Sequence, residues 1–322
     1  MSEKALIEAT LFAIEGVLAV KVLDGVVKVW STKPELLPET IMGRKVEAYY
    51  TPPIRPMSFY LEQRITEATD ESRTAKWRPM PFGVSLGEYR ITAGTAGSRV
   101  FDLMGKKLIL SNYHVLTPYG ELDTPILQPA PYDGGISDDI IALSKNYIPI
   151  KFNSMTARNI ADAAVAMPLK QDDILDEILE VGVVDGVVAV DEGDEVVKSG
   201  RTCGVKKGKV LATGAVVKVE GYKQGYAVFV DQIITEPILM PGDSGSLGVK
   251  DGKAFGLGFA GSTEVSVFSP IRYVLRGLAV SFGEPEVTSG SKAALYAALI
   301  APFGVVGGVG YVGMKKEGRR WL

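Results

Sequence analysis

Met240-Pro-Gly-Asp-Ser-Gly-Ser-Leu247 places a serine, Ser244, between two glycines, Gly242 and Gly245. Glycine adopts backbone angles that other residues avoid. A tight turn here can therefore aim the N–H groups of Gly242 and Ser244 at one point, as an oxyanion hole requires. The alternative is an ordinary surface turn, because Gly, Asp and Ser are common turn residues. The rest of the chain has to decide between these two interpretations.

The only histidine of the chain, His114, lies in Leu108-Ile-Leu-Ser-Asn-Tyr-His-Val-Leu116, directly after a strand-like run. A histidine among apolar residues is commonly structural, but it is also the side chain that exchanges protons near neutral pH. Asp162 lies among small apolar residues in Asn159-Ile-Ala-Asp-Ala-Ala-Val-Ala166, which predicts a buried carboxylate. Such a carboxylate is costly without a partner, and His114 is a candidate.

The order of these three residues along the chain discriminates between classes of hydrolase. His114, Asp162 and Ser244 follow the order found in chymotrypsin. An α/β-hydrolase needs a histidine after its serine, and no histidine follows Ser244. The subtilisin order needs an aspartate before His114. Several aspartates meet that condition, but a β-rich pattern with little helix argues against the subtilisin fold.

Composition limits the class of protein. The 322 residues are 46% hydrophobic and 23% charged, which is typical of a folded globular protein with room for two domains. The net charge of −3 provides no basic footprint, so nucleic acid is not a predicted partner. A single cysteine, Cys203, allows no intramolecular disulfide, and one Cys with one His excludes a Cys/His zinc site. We therefore predict neither a metal nor a cofactor.

Short β-rich runs punctuated by glycine extend from residue 84 to about residue 280 and predict a barrel or sandwich domain. The acidic run 171–180 predicts one or two helical turns between strands. The predicted strands are 90–92, 98–101, 107–110, 163–167, 181–190, 209–219, 226–235 and 254–259.

Residues 1–56 predict a small α+β domain. Helical spacing over residues 4–19 predicts an amphipathic helix, Asp24-Gly25 predicts a hairpin, and residues 45–50 predict a strand. Packing or self-association into a homo-oligomer is the expected role. The charged residues 57–80 predict a linker. The N-terminus has no basic segment of the secretory kind, so a cytoplasmic location is expected.

The last segment, residues 283–322, contains an uncharged run over 293–313. That length can cross a bilayer, and Gly304 with Gly308 forms a Gly-x-x-x-Gly pair. Against this, five glycines and Pro302 weaken any helix in the run. The alternatives are membrane contact through 293–313 and packing on the protein or on a neighbouring subunit.

Nine stretches together carry a family resemblance over about residues 15–280: Arg78-Pro-Met-Pro-Phe-Gly-Val-Ser-Leu, Thr92-Ala-Gly-Thr-Ala-Gly, Leu110-Ser-Asn-Tyr-His-Val-Leu, Ile126-Leu-Gln-Pro, Tyr132-Asp-Gly-Gly, Ala161-Asp-Ala-Ala-Val-Ala, Lys198-Ser-Gly-Arg-Thr-Cys-Gly, Pro241-Gly-Asp-Ser-Gly-Ser-Leu and Gly256-Leu-Gly-Phe-Ala-Gly-Ser. In combination they resemble the trypsin-like, chymotrypsin-fold serine peptidases. More closely, the chain looks like the microbial branch that is similar to the plant narrow-leaf protease. The last 40 residues are outside this resemblance.

The resemblance implies a mainly β fold with a double β-barrel over residues 81–282. It also implies a serine endopeptidase that acts on a polypeptide substrate through an acyl-enzyme. His114 then resembles the general base, Asp162 its orienting acid and Ser244 the nucleophile. A catalytically silent binding or scaffold protein on the same fold is the alternative, and an esterase using the same three residues is another.

The resemblance also implies a substrate pocket and two local departures. By analogy, the pocket is formed by Ile238 at its base and by Phe259, Ala260 and Gly261 in its wall. None of them is a carboxylate, so an apolar substrate side chain is favoured over Lys or Arg. Cys203 stands where a second threonine is expected, and a small buried residue is its expected role. Without a new N-terminus from zymogen cleavage, Asp243 needs an internal donor, for which Arg201 is the candidate.

Overall fold

The N-terminal part of the chain forms one helix and five strands. The computed structural model describes residues 2–57 and 71–285. These first elements are α1 (Glu3–Phe12), β1 (Val17–Val22), β2 (Val26–Ser31), β3 (Thr40–Ile41), β4 (Arg44–Tyr50) and β5 (Arg55–Pro56).

Helix α1 is shorter than the predicted 4–19. It begins where the Ser2 hydroxyl accepts the Ala5 N–H, which caps the first turn. It ends at Phe12 because Gly16 adopts a positive φ of 89° and the β-branched Val17 opens a strand. The predicted hairpin at Asp24-Gly25 is confirmed, since β1 and β2 pair antiparallel around it. The predicted strand 45–50 is confirmed as β4, which pairs parallel to β2.

The second group of elements forms the first barrel. They are α2 (Glu71–Thr74), β6 (Met80–Phe82), β7 (Ser85–Glu88), β8 (Gly94–Thr95), β9 (Ser98–Phe101), β10 (Lys107–Ser111), α3 (Tyr113–Leu116), β11 (Pro125–Leu127), β12 (Ile140–Tyr147), β13 (Ala164–Pro168), β14 (Ile174–Ile178) and β15 (Gly182–Val183). Seven strands form a sheet in the order β8-β7-β11-β12-β13-β10-β9, and β15-β14-β6 form a smaller sheet. Their apolar inner faces bury one core, which also takes in Leu247 and Leu257 from the second barrel.

The second barrel closes on itself. Its elements are β16 (Glu195–Gly200), β17 (Gly204–Tyr222), β18 (Gly225–Thr235), β19 (Leu247–Lys250), β20 (Lys253–Gly261), β21 (Ser266–Pro270) and α4 (Ile271–Leu278). The order β16-β19-β20-β21-β18-β17 becomes a ring because β16 pairs with β17 as well as with β19. The structure is thus mainly β with two barrels, as predicted.

The N-terminal strands extend the sheet of the second barrel. Strand β1 pairs antiparallel with β17, in a register that sets Ala19 opposite Val217, and β2, β4 and β3 follow outward. Strand β5 pairs with β20 on another part of the same sheet. The domain boundary predicted at residue 56 is therefore not a boundary between sheets, because strands before and after it belong to one sheet.

Most predicted strands of the barrel region are confirmed, with two exceptions. Residues 90–92 form a loop between β7 and β8, and only Gly182–Val183 of the predicted run 181–190 is a strand. The helical turns predicted within 171–180 are limited to one short 3-10 turn at Gln171–Asp173, after which the chain forms β14. The reason is tertiary, because Ile174 and Ile178 are buried and pair in parallel with β6.

The predicted linker and tail are only partly described. Residues 58–70 of the linker lie outside the described residues, but Arg73 is buried and donates to the Gly83 carbonyl and the Ser199 hydroxyl. The second half of the linker is therefore packed into the fold. The tail from residue 286 onward, with the alternatives proposed for 293–313, also lies outside them. In the part of the chain that is described, no helix has the length and apolar character needed to span a membrane.

Candidate active site

The structure brings His114, Asp162 and Ser244 into one hydrogen-bonded line. His114 lies on α3 directly after β10, Asp162 lies just before β13, and Ser244 lies in the loop between β18 and β19. Nδ1 of His114 is 2.7 Å from Oδ2 of Asp162, and Nε2 is 2.8 Å from Oγ of Ser244. All three side chains are buried. The first barrel thus supplies the imidazole and the carboxylate, and the second supplies the hydroxyl.

The Asp162 carboxylate has more partners than the histidine. The Tyr222 hydroxyl donates to Oδ2 at 2.6 Å, and the His114 backbone N–H donates to Oδ1 at 3.3 Å. Burial, and then the negative charge of Asp162, raises the pKa of Tyr222 well above its usual value, so the phenol stays a donor. These donors compensate the buried carboxylate. No local pattern in the sequence points to Tyr222, which is 60 positions from Asp162.

Both glycines of the serine loop are required by its backbone. Gly242 and Gly245 have φ values of +99° and +96°. A Cβ at Gly242 would lie 2.2 Å from Oγ1 of Thr202, and a Cβ at Gly245 would lie 2.3 Å from the Thr95 carbonyl oxygen. Any other residue would thus be strained by the backbone and would also collide with fixed neighbours.

Thr95 ties the serine loop to the first barrel. Its N–H donates to the Ser244 carbonyl at 2.7 Å, and its hydroxyl donates to the Gly242 carbonyl at 2.9 Å. The loop that carries the serine is therefore held by the barrel that carries the histidine. Thr95 lies in the stretch Thr-Ala-Gly-Thr-Ala-Gly. The repeat of small residues there was the only feature of the sequence that singled out this position.

Asp243 anchors the same loop through a buried ion pair with Lys198. The Lys198 Nζ is 2.6 Å from Oδ2 of Asp243, and both side chains are fully buried. The Thr202 N–H donates to Oδ1 at 2.8 Å. The prediction of an internal donor is confirmed, but the choice of Arg201 is wrong. The Arg201 guanidinium instead pairs with Asp133, with Nε at 2.9 Å from its carboxylate.

The pKa of Asp243 follows from this environment. Burial by itself would raise the pKa of the carboxyl, but the Lys198 charge and the hydrogen bonds from Cys203, Lys198 and Thr202 outweigh it. The net result is a pKa below the ordinary value. Asp243 is therefore a carboxylate at neutral pH, and the loop is anchored by a full charge.

Cys203 contacts the same ion pair, and its thiol has low reactivity. Its Sγ lies 2.8 Å from Oδ2 of Asp243 and 2.9 Å from Nζ of Lys198. Burial and the charge of Asp243 raise the pKa of the thiol to about 12, against the smaller opposing effect of Lys198. The side chain therefore remains a thiol that donates to Asp243.

We expect Cys203 to resist alkylation in the folded protein. At about pH 8 a thiol with a pKa of about 12 has roughly 10³-fold less thiolate than an ordinary cysteine. Iodoacetamide should therefore react about 10³-fold more slowly with the native chain than with the chain in guanidinium. Mass spectrometry of the single-cysteine protein measures both rates, and similar rates would contradict the buried-thiol assignment.

Of the residues predicted to form the substrate pocket, Phe259, Ala260 and Gly261 form the end of β20, and Ile238 lies in the loop after β18. Ile238 is buried in an apolar cluster with Phe255 and Phe268. The Phe259 ring packs on Phe229 in a different cluster, which also contains Ala260. The side chains of Phe259 and Ala260 therefore pack in a different cluster from that of Ile238, and Gly261 has no side chain.

Met57 occupies this region, which the sequence did not predict. Its N–H donates to the Phe259 carbonyl at 3.1 Å, and its own carbonyl accepts the Gly242 N–H at 2.5 Å. Gly242 is one of the two donors predicted for the oxyanion hole. The linker prediction began at residue 57, and no local pattern in Arg55-Pro-Met57 indicated a contact with the site.

Comparisons with known proteins find likeness only at the level of structure. No protein-family model matches the chain, and no curated protein matches it. Among solved structures it is similar to Thermobifida fusca protease A, with a TM-score of 0.47, 16% identity, and coverage of 62% of this chain and 96% of that one. Nocardiopsis protease matches with a TM-score of 0.47 and 16% identity over 62% and 97% of the two chains. Cellulomonas bogoriensis chymotrypsin matches with a TM-score of 0.42 and 17% identity over 64% and 98%.

The first two of these neighbours are proteases and the third is a chymotrypsin. At such identity and overlap, the fold assignment rests on the two barrels described above and on the position of His114, Asp162 and Ser244 between them.

Proposed function

We propose that the chain is a serine endopeptidase that hydrolyses peptide bonds through His114, Asp162 and Ser244. One observation carries the proposal: the unbroken line of hydrogen bonds from the Asp162 carboxylate through the imidazole to the Ser244 hydroxyl. This constellation activates a serine on several unrelated folds and is identified by its geometry and not by its numbering.

The geometry assigns a task to each group. With Nδ1–H donated to Asp162, the neutral imidazole presents Nε2 as an acceptor toward Ser244. Nε2 takes the hydroxyl proton as Oγ attacks the substrate carbonyl carbon, and Asp162 stabilises the imidazolium that forms. The N–H groups of Gly242 and Ser244 then stabilise the oxyanion. The imidazolium protonates the leaving amine, and water hydrolyses the acyl-enzyme.

An activity-based probe tests this function. A fluorophosphonate should label Ser244 in the full chain, and the Ser244→Ala variant should remain unlabelled. Because Met57 lies in the candidate site, the same experiment should include Met57→Asp, which removes the apolar side chain from the pocket. In a catalytically silent scaffold protein, Ser244 would stay unlabelled in both the wild-type chain and the Met57→Asp chain. That result would refute the proposal. Hydrolysis of esters but not of peptides would indicate the esterase alternative.

We expect peptides with Leu, Met or Phe before the cleaved bond to be the best substrates. Ile238 and its apolar neighbours offer no carboxylate to pair with Lys or Arg, and an unpaired charge in an apolar pocket is costly. The kcat/KM for Met should exceed that for Lys by at least about 100-fold. A library of fluorogenic peptides measures the profile, and a preference for basic residues would show that the pocket is assigned wrongly.

A further inference from the structure

The chain's own residues 55–57 lie across the candidate site in the manner of a bound peptide. Strand β5 pairs antiparallel with the end of β20, with Pro56 opposite Ala260 and Arg55 opposite Gly261. The pairing continues to Met57, whose N–H donates to the Phe259 carbonyl at 3.1 Å. Addition of an extended peptide to an exposed strand edge is a general mode of peptide recognition, in which backbone bonds provide affinity and pockets provide specificity.

The side chain of Met57 fills the predicted pocket. It is 2% exposed and belongs to the apolar cluster of Ile238, Leu239, Phe255 and Phe268. Its terminal methyl group lies only 2.9 Å from the place where a Cβ of Gly261 would stand. A Cβ at position 261 would therefore crowd the end of this side chain. Met57 thus occupies the position that a substrate's primary side chain requires.

The carbonyl group of Met57 is placed where the chemistry would begin. Its oxygen accepts the Gly242 N–H at 2.5 Å, in the predicted oxyanion hole. The Phe259 carbonyl, which binds the Met57 N–H, also accepts the Ser244 hydroxyl at 3.2 Å. The backbone groups of Phe259 and Gly242 therefore hold both the Met57 carbonyl and the Ser244 hydroxyl in place. A segment that merely covered the cleft would not need its carbonyl in the oxyanion hole.

We propose that the chain is its own first substrate and that Ser244 cleaves the bond between Met57 and the next residue of the sequence, Ser58. This inference rests on the proposed function. Ser244 Oγ attacks the Met57 carbonyl carbon and passes its proton to His114 Nε2. The Met57 C–N bond breaks, and His114 returns the proton to the departing α-amino nitrogen of Ser58. A solvent water then hydrolyses the Met57 ester and frees the Ser244 hydroxyl and a Met57 carboxylate.

The expected products are fragments 1–57 and 58–322. Because the Ser244 nucleophile and the Met57 carbonyl belong to one compact unit of the same chain, the reaction is first-order. Its rate does not depend on protein concentration. The N-terminal fragment keeps its strand pairing with β17 after the cut. The two fragments should therefore stay together in native buffer and separate only in denaturant.

Mass spectrometry of the denatured full chain tests the proposal. The wild-type chain should yield both fragments, while the Ser244→Ala chain should stay whole, which excludes a contaminating protease. Met57→Leu, a change of similar volume and polarity, should keep cleavage within about tenfold. Met57→Asp should slow it about 100-fold or more, because a carboxylate would have to enter the apolar pocket. Cleavage at another bond, or a rate that rises with protein concentration, would overturn the proposal.

Labelling of the Met57→Asp chain separates this inference from the proposed function. If the probe labels Ser244 in that variant while the wild-type chain stays whole, self-cleavage is refuted and the peptidase function stands. If no variant is labelled and no peptide is hydrolysed, the function itself fails, and the inference fails with it. If Met57→Asp does not fold, wild type against Ser244→Ala and Met57→Leu still decides, because those three chains alone distinguish cut from uncut protein.

Discussion

Ser244→Ala and His114→Ala should each lower kcat for peptide hydrolysis by about 10⁴ to 10⁶-fold, and the double variant should be barely slower than either single one. The two side chains act as one unit, joined at 2.8 Å, so removing either of them disables the other. Steady-state kinetics on a fluorogenic peptide measures all three variants. Ser154→Ala is a suitable control, because its exposed hydroxyl pairs with that of Thr156, away from the site.

The single histidine makes this test unusually direct. With no other imidazole in the sequence, no neighbouring histidine is able to replace His114. Turnover within about tenfold of wild type in His114→Ala would therefore refute the mechanism. Circular dichroism and thermal unfolding of each variant test whether the loss is chemical, and we expect a folded protein because neither residue lies on a barrel strand.

Lys198→Met should destabilise the protein by about 3–5 kcal/mol, because it leaves Asp243 buried without its cation. The matched control is Lys250→Met. Lys250 pairs with Asp194 at the same 2.6 Å distance, but at the surface, where solvent screening leaves such a pair little net contribution to stability. Urea unfolding measures both variants. A loss for Lys198→Met no larger than that for Lys250→Met would contradict the anchoring role of the buried pair.

The pH dependence of stability distinguishes the lost ion pair from a simple packing defect. In the wild type the pKa of Asp243 is lowered, so its contribution is present above the unfolded pKa, near about 4, and is lost as pH falls below it. Without Lys198, burial raises the pKa of the carboxyl. Its contribution is then present at low pH and is lost as pH rises. The slope of stability against pH above about pH 4 should thus become more negative in Lys198→Met.

The parts of the site that the sequence predicted are those with a local pattern. Gly-Asp-Ser-Gly marks a turn whose backbone only glycine permits, and the order of His114, Asp162 and Ser244 restricts the fold. These residues needed no knowledge of distant contacts. The hairpin at Asp24-Gly25 was predicted for the same reason, since two turn residues set the register of two adjacent strands.

The missed residues all act across long distances in sequence. Tyr222 reaches Asp162 from the end of β17, and Lys198 reaches Asp243 from β16. Neither has a local pattern that differs from that of an ordinary strand residue. Arg201 was the predicted partner of Asp243, but its guanidinium pairs with Asp133. Its position beside Asp133 depends on how the barrels meet, which no stretch of sequence encodes locally.

The pairing of β1 with β17 has a consequence for how the protein is made. Ala19 and Val217, which face each other in this pairing, are separated by about 200 residues, so at a typical elongation rate β1 waits about 10–40 s for its partner to be synthesised. During that time the early strands have an unpaired edge, which is an aggregation hazard on a ribosome. Met57 likewise leaves the ribosome long before Gly242 and Ser244 exist. The segment that contains Met57 is thus synthesised first, and the serine loop that receives it is synthesised much later.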